Sequence, residues 1–297
     1  MLSEERKREL IASLRGHSVA EEHITEEYKK NLELSEREEY TLCPDSVPMK
    51  VYVFFAKNRE PDCRVHINVH GGGFVRPHAL RDEIWSSRLA SAIEGITVDL
   101  DYSLAPEYPY PTAVEQCCAA VKWVFSKLAD WNADPRRVSM GGYSAGANLT
   151  AATAIRLNET KTHRLCLQVL GYGCFDMATD PADKPNAAEN LIPVERGRMF
   201  NECYTEFDPE KLSSPYCSPL LAADQQLRGL PEALILTAGT DNFRFEDGDY
   251  AIRLLRNGVK VTMQEYLHSS HGFIIHCSGE WESAQQRIID TIRAAEL

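Results

Sequence analysis

The sequence predicts an α/β fold in which helices cover both faces of a mostly parallel β-sheet. Strand and helix patterns alternate along the chain beyond residue 36, as they do in proteins built from strand–helix–strand units. Two strand candidates, residues 165–170 and 233–238, are nearly continuous apolar runs, which is typical of strands buried on both faces. Residues 112–131 carry apolar side chains at helical spacing and predict an amphipathic helix.

The other elements follow in order along the chain. Two helical stretches, about 3–15 and 24–34, precede the first strand pattern, and Leu10, Ile11 and Leu14 give the first stretch an apolar face. Alternating or β-branched residues then predict five more strands, at 47–56, 64–70, 96–102, 137–142 and 259–266. Helical spacing predicts helices at 82–93, 145–157 and 281–295.

One long segment, residues 172–214, interrupts the alternation. It is polar and contains proline, and its single helical pattern, near 194–204, is weak. A long insertion in a compact α/β domain is usually a lid or a binding loop. The length of 297 residues suits one large domain with insertions, or two domains of about 150 residues each.

The composition excludes several classes of protein. The 44 acidic residues outnumber the 32 basic ones, and the formal charge of −12 opposes binding to nucleic acid and to anionic membranes. The chain has neither a run of 18 apolar residues nor the apolar core of a signal peptide at its N-terminus. Nine scattered cysteines without a C-x-x-C pattern are typical of thiols in a reducing compartment. We therefore expect a cytoplasmic protein without a zinc site.

A first chemical motif, Gly142-Tyr143-Ser144-Ala145-Gly146, lies between a predicted strand and a predicted helix. In that context G-x-S-x-G is typical of a strained turn that exposes a nucleophilic serine, with small neighbours because other chains pass close by. The alternative is a glycine-rich turn with an idle serine, since so short a pattern also occurs by chance.

A second motif, His70-Gly71-Gly72-Gly73-Phe74, directly follows a strand pattern. Three consecutive glycines are costly in chain entropy, and they make sense where backbone N–H groups must point into a site. The oxyanion of a tetrahedral intermediate needs such donors. The alternative is a merely flexible loop. We expect His70 to order this loop and not to transfer protons.

A serine nucleophile needs a base, usually a histidine held by a carboxylate. Where the order is serine, acid, histidine, the last two residues follow late strands. Asp241 follows the strand at 233–238, and His271 follows the strand at 259–266. We therefore expect both side chains at the carboxyl edge of the sheet, beside Ser144.

Other candidates for these two roles are weaker. His268 lies three residues before His271, but Gly272 gives the loop of His271 more freedom. Glu246 and Asp247 are alternative acids that fall inside the next helix. The remaining histidines are interpreted as surface or core residues: His17, His23, His66, His78, His163 and His276.

Together the motifs resemble those of the hormone-sensitive-lipase-like family of α/β-hydrolase carboxylesterases, of the bacterial type. The resemblance covers about residues 60–275. It rests on the two glycine motifs, Asn148, the sequence Asp-Tyr-x-Leu-Ala-Pro-Glu at 101–107, and the segments 214–231, 241–251 and 271–273. Three residues depart from the family pattern: Tyr143 stands where an acidic residue is usual, Ala147 where glycine is common, and Asn242 where proline is common.

The resemblance implies an α/β-hydrolase fold, which we expect as a single domain over residues 1–297, with a cap built from residues 1–35 and 172–214. It implies Ser144 as nucleophile, Asp241 as acid and His271 as base. It also implies an oxyanion hole formed by the backbone N–H groups of three residues: Gly72, Gly73 and Ala145. We assign Phe74 and Tyr143 to substrate binding.

The sequence thus predicts a serine carboxylesterase that hydrolyses short-chain acyl esters through an acyl-enzyme, without a metal or an organic cofactor. We expect a small-molecule ester as partner, no nucleic acid and no membrane insertion. A homodimer and the identity of the ester are left open. The alternatives are an acetyl esterase for acetylated sugars, a peptidase, or a non-catalytic ligand receptor, because the fold alone does not define the chemistry.

Overall fold

An eight-stranded sheet lies at the centre of the computed structural model, which describes residues 2–16, 24–185 and 192–297. The strands are β1 (Ser35–Leu42), β2 (Met49–Ala56), β3 (Cys63–Val69), β4 (Ile96–Asp101), β5 (Ala133–Tyr143), β6 (Leu167–Gly171), β7 (Glu232–Ala238) and β8 (Val261–Tyr266). Their order is β1-β2-β4-β3-β5-β6-β7-β8. Strand β2 runs antiparallel to both its neighbours, and the other pairs are parallel. The sheet is therefore mostly parallel, as predicted.

Helices cover both faces of this sheet. Those of the described ranges are α1 (Glu4–Arg15), α2 (Glu26–Lys29), α3 (Leu80–Ala92), α4 (Thr112–Lys127), α5 (Ala145–Thr160), α6 (Val194–Thr205), α7 (Pro209–Ser213), α8 (Asp224–Leu227), α9 (Arg244–Arg256), α10 (Phe273–His276) and α11 (Trp281–Ala294). Helices α3 and α11 both contribute residues to one core cluster, and α4 shares another cluster with β3 and β4. None of the described helices has the length and apolar character needed to cross a membrane. The predicted fold class is confirmed.

The edge strand β1 is absent from the sequence-based prediction, which assigned no strand before residue 47. Only Ser35 of this strand is buried, and four of its eight residues are charged, so no apolar alternation marks it. Pairing with β2 places Ser35 opposite Ala56 and Leu42 opposite Met49. A charged edge strand of this kind discourages pairing with another chain. The prediction missed this strand because it is held by backbone pairing with β2 and not by a buried apolar face.

Helix α1 packs on α6, inside the long insertion. Of the three apolar residues singled out in the sequence, Leu10 and Leu14 are each only 1% exposed, and Ile11 is partly exposed. The guanidinium group of Arg6 forms two hydrogen bonds with the carboxylate of Glu202, at 2.8 and 2.7 Å. Helix α1 is thereby attached to the insertion by both apolar and charged contacts.

Helix α2 and the 3-10 turn after it, Lys30–Leu34, pack elsewhere. The ring of Tyr28 lies 5.2 Å from that of Trp281, edge to face, and its hydroxyl accepts a hydrogen bond from Gln285 at 2.8 Å. Ile24 and Ile84 belong to the same small apolar cluster. The second N-terminal segment therefore contacts α3 and α11.

Candidate active site

Ser144 occupies a sharp turn between β5 and α5. Its backbone has φ 55° and ψ −118°, a conformation that non-glycine residues rarely adopt and that the surrounding structure must hold in place. A Cβ atom added at Gly146 would lie 2.1 Å from the carbonyl oxygen of Val69, and one at Gly142 would lie 2.4 Å from the backbone of Gly146. The close approach of β3 and of the turn's own backbone thus explains why the motif needs glycine on both sides of the serine.

Ser144, His271 and Asp241 come from three separate loops and meet at one point. His271 Nε2 lies 2.9 Å from Ser144 Oγ, and His271 Nδ1 lies 2.5 Å from Asp241 Oδ2. The side chain of Asp241 is 1% exposed and that of His271 is 17% exposed. When Nδ1–H donates to the buried carboxylate, Nε2 is left as an acceptor facing the serine hydroxyl.

The loops that carry the acid and the histidine are fastened to one another. Thr240 Oγ1 donates to the carbonyl oxygen of Ser269 at 3.0 Å. The second carboxylate oxygen of Asp241 accepts the backbone N–H of Phe243 at 3.1 Å. These contacts fix the orientation of the carboxylate before any substrate is bound.

The alternative candidates for the base and the acid make no contact with Ser144 among the hydrogen bonds of the described residues. His268 is exposed. Glu246 forms a buried ion pair with Lys184 at 2.5 Å, and Asp247 accepts the backbone N–H of Gly173 at 2.9 Å. Burial raises the pKa of the Asp247 carboxyl well above its ordinary value. Both side chains thus hold the segment that follows β6.

The other histidines have mixed positions. His66 is fully buried and bonds to Ser139 at 2.8 Å. His163 is partly exposed, and its ring stacks on Phe125. Ser144 lies in the wall of a cavity, and His276 is another residue of that wall. His17 and His23 lie outside the described residues.

Gly72 and Gly73 line this cavity together with Ser144. Their φ angles are 111° and 61°, which glycine tolerates without strain. Ala145 is the first residue of α5, where backbone N–H groups lack intrahelical acceptors and the helix dipole favours negative charge. The three N–H donors expected to form an oxyanion hole therefore lie on the two segments that flank the serine.

His70 holds the glycine loop from behind. Its Nδ1 atom donates to the carbonyl oxygen of Gly71 at 2.7 Å. Its ring stacks on that of Tyr102, with centroids 4.2 Å apart. These contacts agree with an ordering role.

Phe74 and Tyr143 line the cavity, but each is only 2% exposed. The ring of Phe74 stacks on that of Tyr204 at 3.8 Å. The hydroxyl of Tyr143 accepts a hydrogen bond from Trp85 Nε1 at 2.8 Å, and burial raises the pKa of Tyr143. Tyr143 therefore braces the serine turn against α3, at the position where an acidic residue is usual.

The cavity has a volume of about 400 Å³, within the range of small-molecule sites. The rings of Tyr172 and Phe243 lie edge-on to His271, at 5.0 and 5.5 Å. Phe200 of α6 lies over the glycine loop, since a Cβ at Gly73 would be 2.4 Å from its ring. Sequence reasoning missed these aromatic residues because no local pattern distinguishes them from core residues.

A buried ion pair lies behind the glycine loop. His78 Nε2 is 2.9 Å from Asp99 Oδ2, and the amide of Asn68 donates to the other carboxylate oxygen at 2.9 Å. Burial lowers the pKa of His78, but the charge and hydrogen bond of Asp99 outweigh it and raise that pKa to about 9. His78 is therefore charged at neutral pH.

We expect His78→Gln to lower the free energy of unfolding by about 3–5 kcal/mol at pH 6, because it leaves the buried carboxylate of Asp99 unpaired. The stabilisation is complete below the ordinary histidine pKa of about 6.5 and is lost as the pH rises through about 9. Urea unfolding of wild type and variant at about pH 6 and 10 measures both values. The exposed His268→Gln serves as control, with a change of at most about 0.5 kcal/mol. An equal loss at both pH values would contradict this account.

Comparison with known proteins places the chain in the class that its fold and site also indicate, the α/β hydrolases. The family model described as "alpha/beta hydrolase fold" matches residues 66–275. An arylesterase from Saccharolobus solfataricus is 30% identical over 214 residues, which cover 70% of this chain and 67% of the relative.

Solved structures of esterases superpose along almost the whole chain. A thermostable esterase from Pseudomonas putida ECU1011 has a TM-score of 0.83 at 25% identity, covering 99% of this chain and 98% of that one. A hyperthermophilic esterase from Pyrobaculum calidifontis has a TM-score of 0.81 at 27% identity, with the same coverage. The chain belongs to the alpha/beta hydrolase family, and the predicted resemblance to its hormone-sensitive-lipase-like esterases is confirmed. The comparisons also support its assignment as a carboxylic ester hydrolase.

Proposed function

We propose that this chain is a serine carboxylesterase in which Ser144 is the nucleophile, His271 the base and Asp241 the acid. The observation that carries the proposal is the unbroken chain of hydrogen bonds from Ser144 Oγ to Asp241, with lengths of 2.9 and 2.5 Å. The esterase relatives support the same reaction.

The proposed reaction has two halves. His271 Nε2 accepts the proton of Ser144 Oγ as that oxygen attacks the ester carbonyl carbon, and Asp241 stabilises the imidazolium that forms. When the tetrahedral intermediate collapses, His271 donates its proton to the departing alkoxide, and Ser144 is left acylated. A water molecule, deprotonated by the same imidazole, then hydrolyses the acyl-enzyme.

We assign stabilisation of the oxyanion to the backbone N–H groups of Gly72, Gly73 and Ala145. Negative charge develops on the carbonyl oxygen only during the attack, so donors fixed in advance stabilise the transition state more than the bound ester. The contacts of His70 support this role because they hold the glycine loop rigid.

We propose a cap made of α1 and residues 172–214, on a single domain of residues 1–297. Its support is the position of Phe200 over Gly73, together with the bonds between Arg6 and Glu202. Exclusion of water by a cap strengthens the hydrogen bonds to an oxyanion. Because the 3-10 segment Lys30–Leu34 and α2 pack on α3 and α11, the N-terminal part of the proposed cap is limited to α1.

We expect kcat/KM to be highest for acyl chains of about two to six carbons. Each methylene group that fits the cavity adds up to about 0.8 kcal/mol of apolar burial, and the first that does not fit brings overpacking that outweighs this gain. A series of p-nitrophenyl esters from acetate to laurate measures the profile. An optimum at twelve or more carbons would show that the acyl site is not enclosed.

The open alternatives share this site and differ in what they cleave or bind there. An acetyl esterase would prefer acetylated sugars, a peptidase would cleave amides faster than esters, and a receptor would bind without turnover. A screen of acyl esters, acetylated sugars and peptides with one preparation of the protein separates them.

We expect chelators and mild thiol reagents to leave ester hydrolysis unchanged, because the proposed mechanism uses neither a metal nor a cysteine. Eight of the nine thiols are buried and Cys43 is exposed. Dialysis against EDTA, followed by assay with and without added zinc, tests the first part. Loss of activity that zinc restores would contradict a metal-free mechanism.

We propose a cytoplasmic location, supported by the nine free thiols, which suit a reducing compartment. That the chain binds no nucleic acid stays a prediction. The formation of a homodimer is left open. Gel filtration at two protein concentrations tests the homodimer.

A further inference from the structure

One buried residue, Ser269, joins the loop of the proposed base to the loop of the proposed acid. These two segments, residues 267–272 and 239–243, are called the histidine loop and the acid loop. Ser269 is 1% exposed and lies two residues before His271. Its carbonyl oxygen accepts two hydrogen bonds from Thr240, from the backbone N–H at 3.2 Å and from Oγ1 at 3.0 Å. Both lone pairs of this oxygen are therefore used to hold the residue that directly precedes the acid.

The side chain of Ser269 bonds to a third segment, the start of α11. Its hydroxyl donates to Glu280 Oε2 at 3.2 Å and accepts the backbone N–H of Glu280 at 3.0 Å. The same carboxylate oxygen accepts the backbone N–H of His268 at 3.0 Å. Glu280 thus holds two consecutive residues of the histidine loop, and its bonds with Ser269 run in both directions.

Glu280 directs its carboxylate to this loop and not to its own helix. It is the N-cap residue of α11, yet its side chain makes no capping hydrogen bond. An N-cap side chain ordinarily accepts a backbone N–H from the first turn of the helix that it begins. Hydrogen bonds to a carboxylate are stronger than those between neutral groups. The position of Glu280 therefore supports the histidine loop more than α11.

The chains on both sides of the histidine loop approach it closely. A Cβ atom added at Gly279 would lie 2.8 Å from Ser269 Oγ, and one at Gly239 would lie 2.6 Å from the Cα atom of Leu267. Gly239 belongs to the acid loop, and Gly279 directly precedes Glu280. Contact at backbone distance on two sides leaves the histidine loop little room to shift while its hydrogen bonds are in place.

We propose that Ser269 and Glu280 are positioning residues for His271. Glu280 holds Ser269, and Ser269 holds the histidine loop against the acid loop. The imidazole is thereby kept at hydrogen-bonding distance from Asp241 and Ser144. The inference rests on the proposed esterase function. A displacement of about 1 Å in a reacting group can cost about 10²-fold in rate, so residues that only hold the base can still have large effects on turnover.

Glu280→Ala should lower kcat and kcat/KM for p-nitrophenyl butyrate together, by about ten- to a hundredfold. KM should stay within about twofold of its wild-type value, because neither Glu280 nor Ser269 belongs to the described lining of the cavity. Glu280→Gln should recover most of the activity, since its amide oxygen can accept the same two hydrogen bonds. Glu282→Ala is the matched control: Glu282 is exposed in the first turn of α11, and this variant should keep wild-type activity.

The rate of labelling with a fluorophosphonate distinguishes positioning from a role in folding alone. The reagent reacts with a serine that its base activates, so a displaced His271 lowers the rate constant although every folded chain is labelled in the end. A partly unfolded variant would instead give less than one label per chain, at the wild-type rate constant. For Glu280→Ala we expect slower labelling that still reaches one label per chain.

Ser269→Ala tests the other member of the pair, and it replaces Glu280→Ala if that variant does not fold. We expect a loss of similar size in kcat, again without a change in KM. The double variant should be no slower than the slower single variant, because the two side chains act as one unit. Losses that multiply in the double variant would contradict the proposed pairing.

Three further results would overturn the proposal. One is wild-type kcat and a wild-type labelling rate in Glu280→Ala, or in Ser269→Ala where that variant replaces it. Another is a loss of activity that equals the fraction of chains left unlabelled, which would indicate a role in folding alone. The third is a Glu282→Ala variant that loses as much activity as Glu280→Ala. Wild-type protein that hydrolyses no ester would instead contradict the proposed esterase function.

Discussion

Ser144→Ala is expected to lower kcat for ester hydrolysis about 10⁶-fold. The variant lacks the oxygen that is acylated in the proposed mechanism, and His271 has no hydroxyl to deprotonate. Binding of the ester and the oxyanion donors would remain, so the residual rate should still exceed that of the reaction in water. Initial rates with p-nitrophenyl butyrate, measured on protein free of contaminating esterases, give the ratio directly.

Ser126→Ala is the matched control for this loss. Ser126 is exposed near the end of α4, and its hydroxyl donates to the carbonyl oxygen of Trp123. This variant should keep wild-type activity. If Ser144→Ala retained more than a few per cent of turnover, Ser144 would not be the nucleophile.

The second large effect concerns the base. His271→Ala should be nearly as inactive as Ser144→Ala, because residues that act as one unit lose activity together and not additively. The double variant should therefore be no slower than either single one. Kinetics of the two single variants and of the double variant measure these effects.

His268→Ala is the control, since His268 is exposed and three residues from His271. It should keep most of the activity. The reverse result, with His268→Ala inactive and His271→Ala active, would exchange the two assignments.

Most of the fold could be predicted because its buried strands and helices carry apolar patterns of the right period. Residues 165–170 and 233–238 are almost entirely apolar, and they form β6 and β7 in the middle of the parallel part of the sheet. Strand β1 could not be predicted in this way. Its stability comes from backbone pairing with β2, and backbone pairing leaves little trace in the side chains.

The proposed reacting residues could be predicted because their chemistry imposes local rules. A serine at a strained turn needs glycine neighbours, and an acid and a histidine that must meet it follow strand ends. The structure brings Ser144, Asp241 and His271 together at hydrogen-bonding distance.

The rest of the site depends on contacts between distant parts of the chain. Tyr143 is braced by Trp85, 58 residues away, and Phe200 reaches Gly73 from the insertion. No spacing rule links such pairs, because their geometry follows from how the insertion packs on the sheet.

The most direct test of the central claim is covalent labelling of wild-type protein with a fluorophosphonate, followed by peptide mapping. The account predicts one phosphonyl group per chain, attached to Ser144, with activity lost in proportion to labelling. Complete labelling of Ser144 with activity retained, or complete inactivation with the label on another residue, would contradict it.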